Sequence, residues 1–114
     1  MTIAVEPVST APARADSIVT PAGIEVWRVH SDVVPVAAMS FVFEGGASQD
    51  PLERPGIAQM TAQLLDEGAG PYPSDAYQEK LAESAIELSF NAGQDSISGG
   101  LRTLTRNLDE AIAL

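Results

Sequence analysis

Residues 56–70, GIAQMTAQLLDEGAG, carry the clearest helical pattern in the sequence. Four apolar side chains recur at i, i+3, i+7 and i+8, the spacing of one face of an α-helix: Ile57, Met60, Leu64 and Leu65. Gly68 and Gly70 end the pattern, as glycines commonly do after a helix. We therefore predict a helix over residues 56–67 whose apolar face packs inward.

Two β-prone runs precede this helix, at residues 23–29 and 33–43. The first alternates loosely between apolar and polar side chains. The second is apolar almost throughout, as expected of a strand that is covered on both faces or lies inside a sheet. We predict two strands that are joined by a polar turn at Ser31 and Asp32.

A second helix is predicted over residues 74–85, with Ser74 or Asp75 as its cap. Its helical spacing puts three side chains on one buried stripe: Tyr77, Leu81 and Ala85.

Alternating apolar residues then predict a half-buried strand: Ile86, Leu88 and Phe90. A turn near residues 93–95 would fold this strand back onto another over residues 96–105. Asn107 and Glu110 have the spacing of a capping box, so we predict that a third helix begins there.

The order of these elements argues for an α+β fold, with helices packed on one face of a largely antiparallel sheet. Residues 1–20 are expected to form an extended leader, because a composition rich in Ala, Pro, Ser and Thr offers little to bury. Residues 21–114 are expected to form the folded part. Because the apolar face of the last helix has only just begun at Leu114, we expect a truncated, N-terminal portion of a longer domain.

Composition narrows the classes of partner. The sequence has 114 residues, of which 16 are acidic and 6 basic, for a formal net charge of −10. Such a charge repels nucleic-acid phosphates and anionic lipid surfaces, so we expect no nucleic acid and no membrane among the partners. Cysteine is absent from the sequence, which removes disulfides and thiolate metal ligands. The first residues lack the apolar run of a secretory signal.

Few residues offer catalytic chemistry. His30 is the only histidine, and we interpret it as a surface residue beside a turn. The serines have no nucleophile-elbow pattern around them. The glycine pairs at residues 45–46 and 99–100 have neither a following lysine nor a GxGxxG spacing, so we interpret them as strand ends or bulges.

Several spaced phrases give residues 23–114 a family resemblance: FVFEGGASQDP, GIAQMTAQLLDEGAG, YQEKLAESAIELSFNAG and SGGLRTLTRNLDEAIAL. With these phrases the sequence resembles the start of a zinc peptidase domain of the pitrilysin/insulinase family, the inverzincins. It is most similar to the inactive half of two-chain bacterial peptidases, in which LLDEGAG, LAESAIELSF and SGGLRTLTRN are typical.

The first helix of that family carries the motif His-x-x-Glu-His. When the preceding Gly-Ile-Ala and the following Leu-Leu are aligned, the two histidines fall on Gln59 and Gln63 and the glutamate falls on Ala62. In active members, imidazoles at i and i+4 bind zinc, and the glutamate takes a proton from the metal-bound water. An amide is a weak neutral ligand and a methyl group accepts no proton, so this motif is degenerate.

The resemblance therefore implies a catalytically inactive homologue or subunit that pairs with a zinc-bearing chain and helps to enclose a peptide chamber. No cofactor is expected in this chain, and zinc is expected only in the partner, which would be a related peptidase chain or a second copy. Two alternatives stay open. One is an active zinc metalloendopeptidase with ligands outside this segment, such as the family's third ligand beyond Leu114. The other is a structural or binding module unrelated to proteolysis.

The resemblance also implies where a peptide would bind. In active relatives the segment that matches Phe90, Asn91, Ala92 and Gly93 is a sheet edge that pairs with the substrate backbone. An ordinary hairpin strand is the alternative interpretation of these residues. Related two-chain systems are often exported, so an exported or periplasmic location is suspected from the resemblance alone.

Overall fold

The computed structural model describes residues 2–4 and 15–114. Within these ranges the chain forms six strands and three α-helices, and the predicted α+β class is confirmed. The strands are β1 (Thr2–Ala4), β2 (Ala15–Val19), β3 (Glu25–Val29), β4 (Val36–Glu44), β5 (Glu87–Ala92) and β6 (Ser96–Leu104). The helices are α1 (Ile57–Leu64), α2 (Ser74–Glu83) and α3 (Leu108–Ala113), and two 3-10 turns lie at Ala47–Gln49 and Thr105–Asn107.

The strands form one sheet in the order β2-β3-β1-β4-β6-β5. All neighbours in this order are antiparallel except β1 and β3, which are parallel, so the sheet is largely antiparallel as predicted. The apolar run in β4 lies inside the sheet, between β1 and β6. On the described part of the chain, β5 forms one edge of the sheet and β2 forms the other.

The N-terminal segment differs from the sequence expectation. Both β1 and β2 fall within residues 1–20, which we expected to be an extended leader. In addition, β1 lies between β3 and β4, so the two strands on either side of Ser31 and Asp32 do not pair with each other. A strand as short as Thr2–Ala4 has too few residues to show a two-residue alternation, so its sequence pattern gave no signal.

The hydrophobic core lies where α2 and α3 cover one face of the sheet. Met39, Leu101 and Leu88 form a row across β4, β6 and β5, because Leu101 is the register partner of the other two. Helix side chains pack on this row: Tyr77 and Leu81 from α2 and Ala111 from α3. The predicted burial of Tyr77 and Leu81 is confirmed.

Helix α1 has the opposite orientation from the one predicted. Its buried side chains are Ala58 and Ala62, with 6% and 3% of their surface exposed. The four apolar residues expected to face inward are exposed, with Met60 at 63% and Leu64 at 59%. The Cα atoms of α1 come within 8 Å of those of β5, and so close an approach favours alanine over larger side chains.

The predicted cap of helix α2 and the predicted burial of Ala85 at its end are both wrong. Its N-cap position is Pro73, and the Ser74 hydroxyl instead donates a 2.7 Å hydrogen bond to Glu67. Ala85 does not extend the buried stripe, because it follows the helix in the left-handed conformation with φ of 50°. The Ala85 and Ile86 N–H groups donate to the Ala82 and Leu81 carbonyls, which is the Schellman pattern of helix termination.

The predicted capping box at α3 is wrong. Asn107 occupies the N-cap position, but its side-chain amide donates a 2.6 Å hydrogen bond to the Ser84 carbonyl. Glu110 forms an ion pair with Lys80 of α2, with 2.6 Å between Oε1 and Nζ. Both side chains therefore fix α3 to α2, and tertiary contacts replace the local capping that the spacing suggested.

Candidate functional site

The degenerate motif lies on α1 beside the edge strand β5. Gln59 and Gln63 are exposed and lie one helical turn apart, so their side chains share a face. Ala62 is buried on the adjacent side of the helix, toward the sheet. All three motif positions therefore lie on one helix beside β5, where Gln59 and Gln63 are exposed to solvent and Ala62 is buried.

The residues at these positions do not fit a zinc ion. Zinc in proteins is held by imidazole, thiolate or carboxylate groups, and this helix face offers two neutral amides and a methyl group. Across residues 2–4 and 15–114, no group of three or more His, Cys, Asp or Glu side chains is arranged to hold a metal ion.

Strand β5 presents backbone groups at the open edge of the sheet. The Gly93 N–H donates to the Ser96 carbonyl at 2.8 Å, so this opposed pair is hydrogen-bonded. Hydrogen-bonded and non-hydrogen-bonded pairs alternate along an antiparallel ladder, so Asn91 and Ser89 also direct their N–H and C=O groups toward β6. The backbone groups of three β5 residues consequently point away from β6: Leu88, Phe90 and Ala92.

The four predicted peptide-binding residues therefore have different positions. Phe90 and Ala92 present backbone groups at the edge, whereas those of Asn91 are turned toward β6. Gly93 lies beyond β5, in the turn that leads to β6. Phe90 is half-buried, with its ring centroid 6.3 Å from that of Phe41. The alternation that predicted β5 is confirmed, whereas the binding role of these residues stays a prediction.

The turn after β5 is fixed by the glycine loop that follows β4. The Gly45 and Ala47 N–H groups donate to the Asp95 and Gly93 carbonyls at 2.8 and 2.9 Å. A Cβ on Gly46 would overlap the Gly93 carbonyl oxygen and lie 2.8 Å from the Ser96 nitrogen. The first glycine pair thus follows a strand end, as predicted, and also allows this close approach.

Asp50 connects the same loop to α1, and sequence reasoning missed it. Its carboxylate accepts hydrogen bonds from the Gly56 N–H at 2.7 Å and the Ala58 N–H at 3.0 Å. These are free N–H groups at the start of the helix, which a carboxylate stabilises. A cap that lies several residues before its helix has no local spacing signature, so only the presence of an acid in the loop hinted at it.

His30 lies far from this arrangement in the sheet order, at the end of β3. Its side chain is 80% exposed, and its Nε2 lies 3.0 Å from the Asp32 carboxylate. The interpretation of His30 as a surface residue is confirmed.

Comparison with known proteins gives one relevant relative. No family model matches the chain. Over 91 residues the chain is 26% identical to a Helicobacter pylori protein named "Non-peptidase homolog YmxG". The similarity is distant. The alignment covers 80% of this chain but only 21% of that protein, so the chain spans about a fifth of the relative's length.

The printed name of this relative agrees with a chain that carries Gln59, Ala62 and Gln63 at the positions aligned with the two histidines and the glutamate of the motif. At this level of identity the similarity supports a distant link to the family. In the part of the chain that the structure describes, no helix is long and apolar enough to cross a membrane.

Proposed function

We propose that this chain is a catalytically inactive homologue of a zinc metallopeptidase. The observation that carries the proposal is the surface of α1, where Gln59 and Gln63 are exposed at the histidine positions and Ala62 is buried at the glutamate position. The helix is kept because Ala58 and Ala62 pack toward the sheet and Asp50 fixes its start. Its exposed face has no group that could activate water.

The proposal extends to a role in binding peptides beside an active partner. An extended peptide adds to β5 through the outward N–H and C=O groups of Leu88, Phe90 and Ala92, as strands add to open sheet edges. A related chain with an intact His-x-x-Glu-His motif supplies zinc and hydrolysis. The glycine loop that holds the 93–95 turn keeps this edge in a fixed position.

The test compares this chain, a candidate partner with the intact motif, and their mixture in a peptide-cleavage assay. We expect efficient, chelator-sensitive cleavage only in the mixture, and co-elution of the two chains in size-exclusion chromatography. Chelator-sensitive cleavage by this chain alone, with one tightly held zinc per chain, would contradict the proposal. Stable pairing with a protein unrelated to peptidases would instead support a binding module without a link to proteolysis.

A further inference from the structure

A cavity of about 260 Å³ opens between α2 and the first residues of β5. Its apolar side is formed by Leu81, Ile86 and Leu88. Its polar side includes Asp66, which follows α1. Glu87, which begins β5, also lines the cavity, but its side chain projects from the face opposite Leu88 because side chains alternate along a strand. The cavity therefore combines an apolar wall with the acidic Asp66 and has room for one long side chain.

A hydrogen bond from α2 fixes the backbone of Asp66 at the cavity. The Gln78 side-chain amide, which also lines the cavity, donates a 2.7 Å hydrogen bond to the Asp66 backbone carbonyl. In residues 2–4 and 15–114, no cation lies within ion-pair distance of Asp66 or Glu87. Arg102 is the register partner of Glu87 on β6, and the two make no ion pair.

The cavity adjoins the open edge of the sheet. Leu88 lines it and also belongs to the residues whose backbone groups point away from β6. A peptide strand added to β5 would pass this point, and because side chains alternate, one of them would project toward the helix-covered face. That side chain would reach the cavity, whereas its immediate neighbours would project from the opposite face.

We infer that this cavity selects a lysine or arginine side chain of a peptide bound along β5, an inference that rests on the proposed peptide-binding function. The methylene groups of the side chain pack on Leu81, Ile86 and Leu88 while the cationic end meets Asp66. Long basic side chains have this division between an apolar stem and a charged end. The net charge of −10 also attracts basic peptides to the chain.

The test uses fluorescent peptides of one extended sequence in which a single position is lysine, arginine, norleucine or glutamate. Affinity for the purified chain is measured by fluorescence anisotropy at physiological salt. We expect the lysine and arginine peptides to bind roughly twofold to fivefold more tightly than the norleucine peptide, as for a partly exposed ion pair. The glutamate peptide should bind most weakly.

Substitutions in the chain test whether the cavity causes the preference for lysine. Asp66→Asn should bring the lysine peptide to the affinity of the norleucine peptide. Glu87→Gln on the other face of β5 and Glu79→Gln on α2, outside the cavity, should leave the preference unchanged. Circular dichroism checks that each variant is folded. A lysine preference that survives Asp66→Asn would overturn the inference.

A second set of peptides separates the inference from the function on which it rests. N-methylation of alternate peptide amides blocks strand pairing but keeps the side chains. If unmethylated peptides bind, methylated ones do not, and lysine has no advantage over norleucine, the cavity inference is overturned while edge binding stands. If no peptide binds, or if methylation has no effect, the proposed edge binding is overturned together with the inference.

Discussion

The ring of Phe41 lies directly over Gly99 on the neighbouring strand. A Cβ at residue 99 would overlap the ring and lie 2.8 Å from its Cε2 atom. Gly99 and Gly100 are interior residues of β6 in continuous register with β4 and β5, so their interpretation as a strand end or bulge is wrong. Gly99 is needed because an aromatic ring occupies the space above its Cα.

Gly99→Ala should destabilise the fold by about 1–3 kcal/mol, the usual cost of forcing an extra group into a packed site. Urea denaturation followed by circular dichroism measures the change. Combining it with Phe41→Leu should restore part of the loss, because the clash involves the ring itself. Additive losses in the double variant would contradict this account.

Ala85→Gly should stabilise the protein by about 1 kcal/mol, because a left-handed conformation is costly for alanine and not for glycine. Ala82→Gly is the matched control inside α2 and should destabilise by about 1 kcal/mol. Thermal unfolding of both variants checks the opposite signs. A lower melting temperature for Ala85→Gly would contradict the proposed helix ending.

Asp50→Ala should cost about 1–2 kcal/mol, because it removes the acceptor for two N–H groups at the start of α1. Glu53→Gln in the same loop makes a suitable control and should change stability by about 0.5 kcal/mol or less. Chemical denaturation measures both. Equal effects from the two substitutions would show that Asp50 does not cap the helix.

The Lys80–Glu110 ion pair predicts a pH-dependent stability. The hydrogen bond from Lys80, with a smaller contribution from Ser84, lowers the pKa of Glu110 below its ordinary 4.5. Stabilisation from Glu110 is therefore complete above pH 4.5 and is lost as the pH falls through the lowered pKa. The same hydrogen bond raises the pKa of Lys80 above 10.5, so its stabilisation is complete below that pH and is lost as the pH rises through the raised pKa.

Glu110→Gln should accordingly be less stable than the unsubstituted chain near neutral pH. The difference should shrink at both the acidic and the alkaline extremes, and it should also shrink at high salt because both side chains are partly exposed. Melting temperatures across the pH range test this expectation. A difference that is constant at every pH would indicate that the ion pair contributes nothing.

Introducing the His-x-x-Glu-His residues should have unequal effects at the three positions. Gln59→His with Gln63→His should change stability by about 0.5 kcal/mol or less, because both positions are exposed, and the pair should bind Zn²⁺ through imidazoles one turn apart. Ala62→Glu should destabilise by about 3 kcal/mol, since it forces a larger, charged side chain into a buried site.

Calorimetric titration with zinc measures the metal binding, with Gln59→His alone as the control that lacks the second imidazole. Urea denaturation measures the cost at residue 62. If Ala62→Glu were tolerated without loss, the interpretation that residue 62 is closely packed against the sheet would be wrong.

The sequence predicted the elements with strong local patterns. The alternation of Leu88 and Phe90 identified β5 because an edge strand with one covered face keeps apolar and polar residues on opposite sides. The spacing of Tyr77 and Leu81 identified the buried stripe of α2, because apolar residues recur at helical spacing on the face of a helix that packs on the core. Both patterns are local, so neighbouring residues suffice to reveal them.

The remaining features depend on distant parts of the chain. Periodicity grouped Met60 with Leu64, but it could not show that α1 approaches β5 so closely that Ala58 and Ala62 turn inward instead. At the site, alignment of the motif located Gln59 and Gln63, whereas the cap from Asp50 and the cavity beside Asp66 arise only in three dimensions.

The position of β1 affects the route by which the sheet is assembled. Strands β3 and β4 are close in the chain, yet they do not pair with each other as a hairpin. Strand β1 lies between them and pairs with both. Pairing β1 with β3 and β4 has an entropic cost that grows with the number of residues between the paired strands. The β2–β3 and β5–β6 hairpins need only short turns. We therefore expect the two outer hairpins to form first and the middle of the sheet to be completed last.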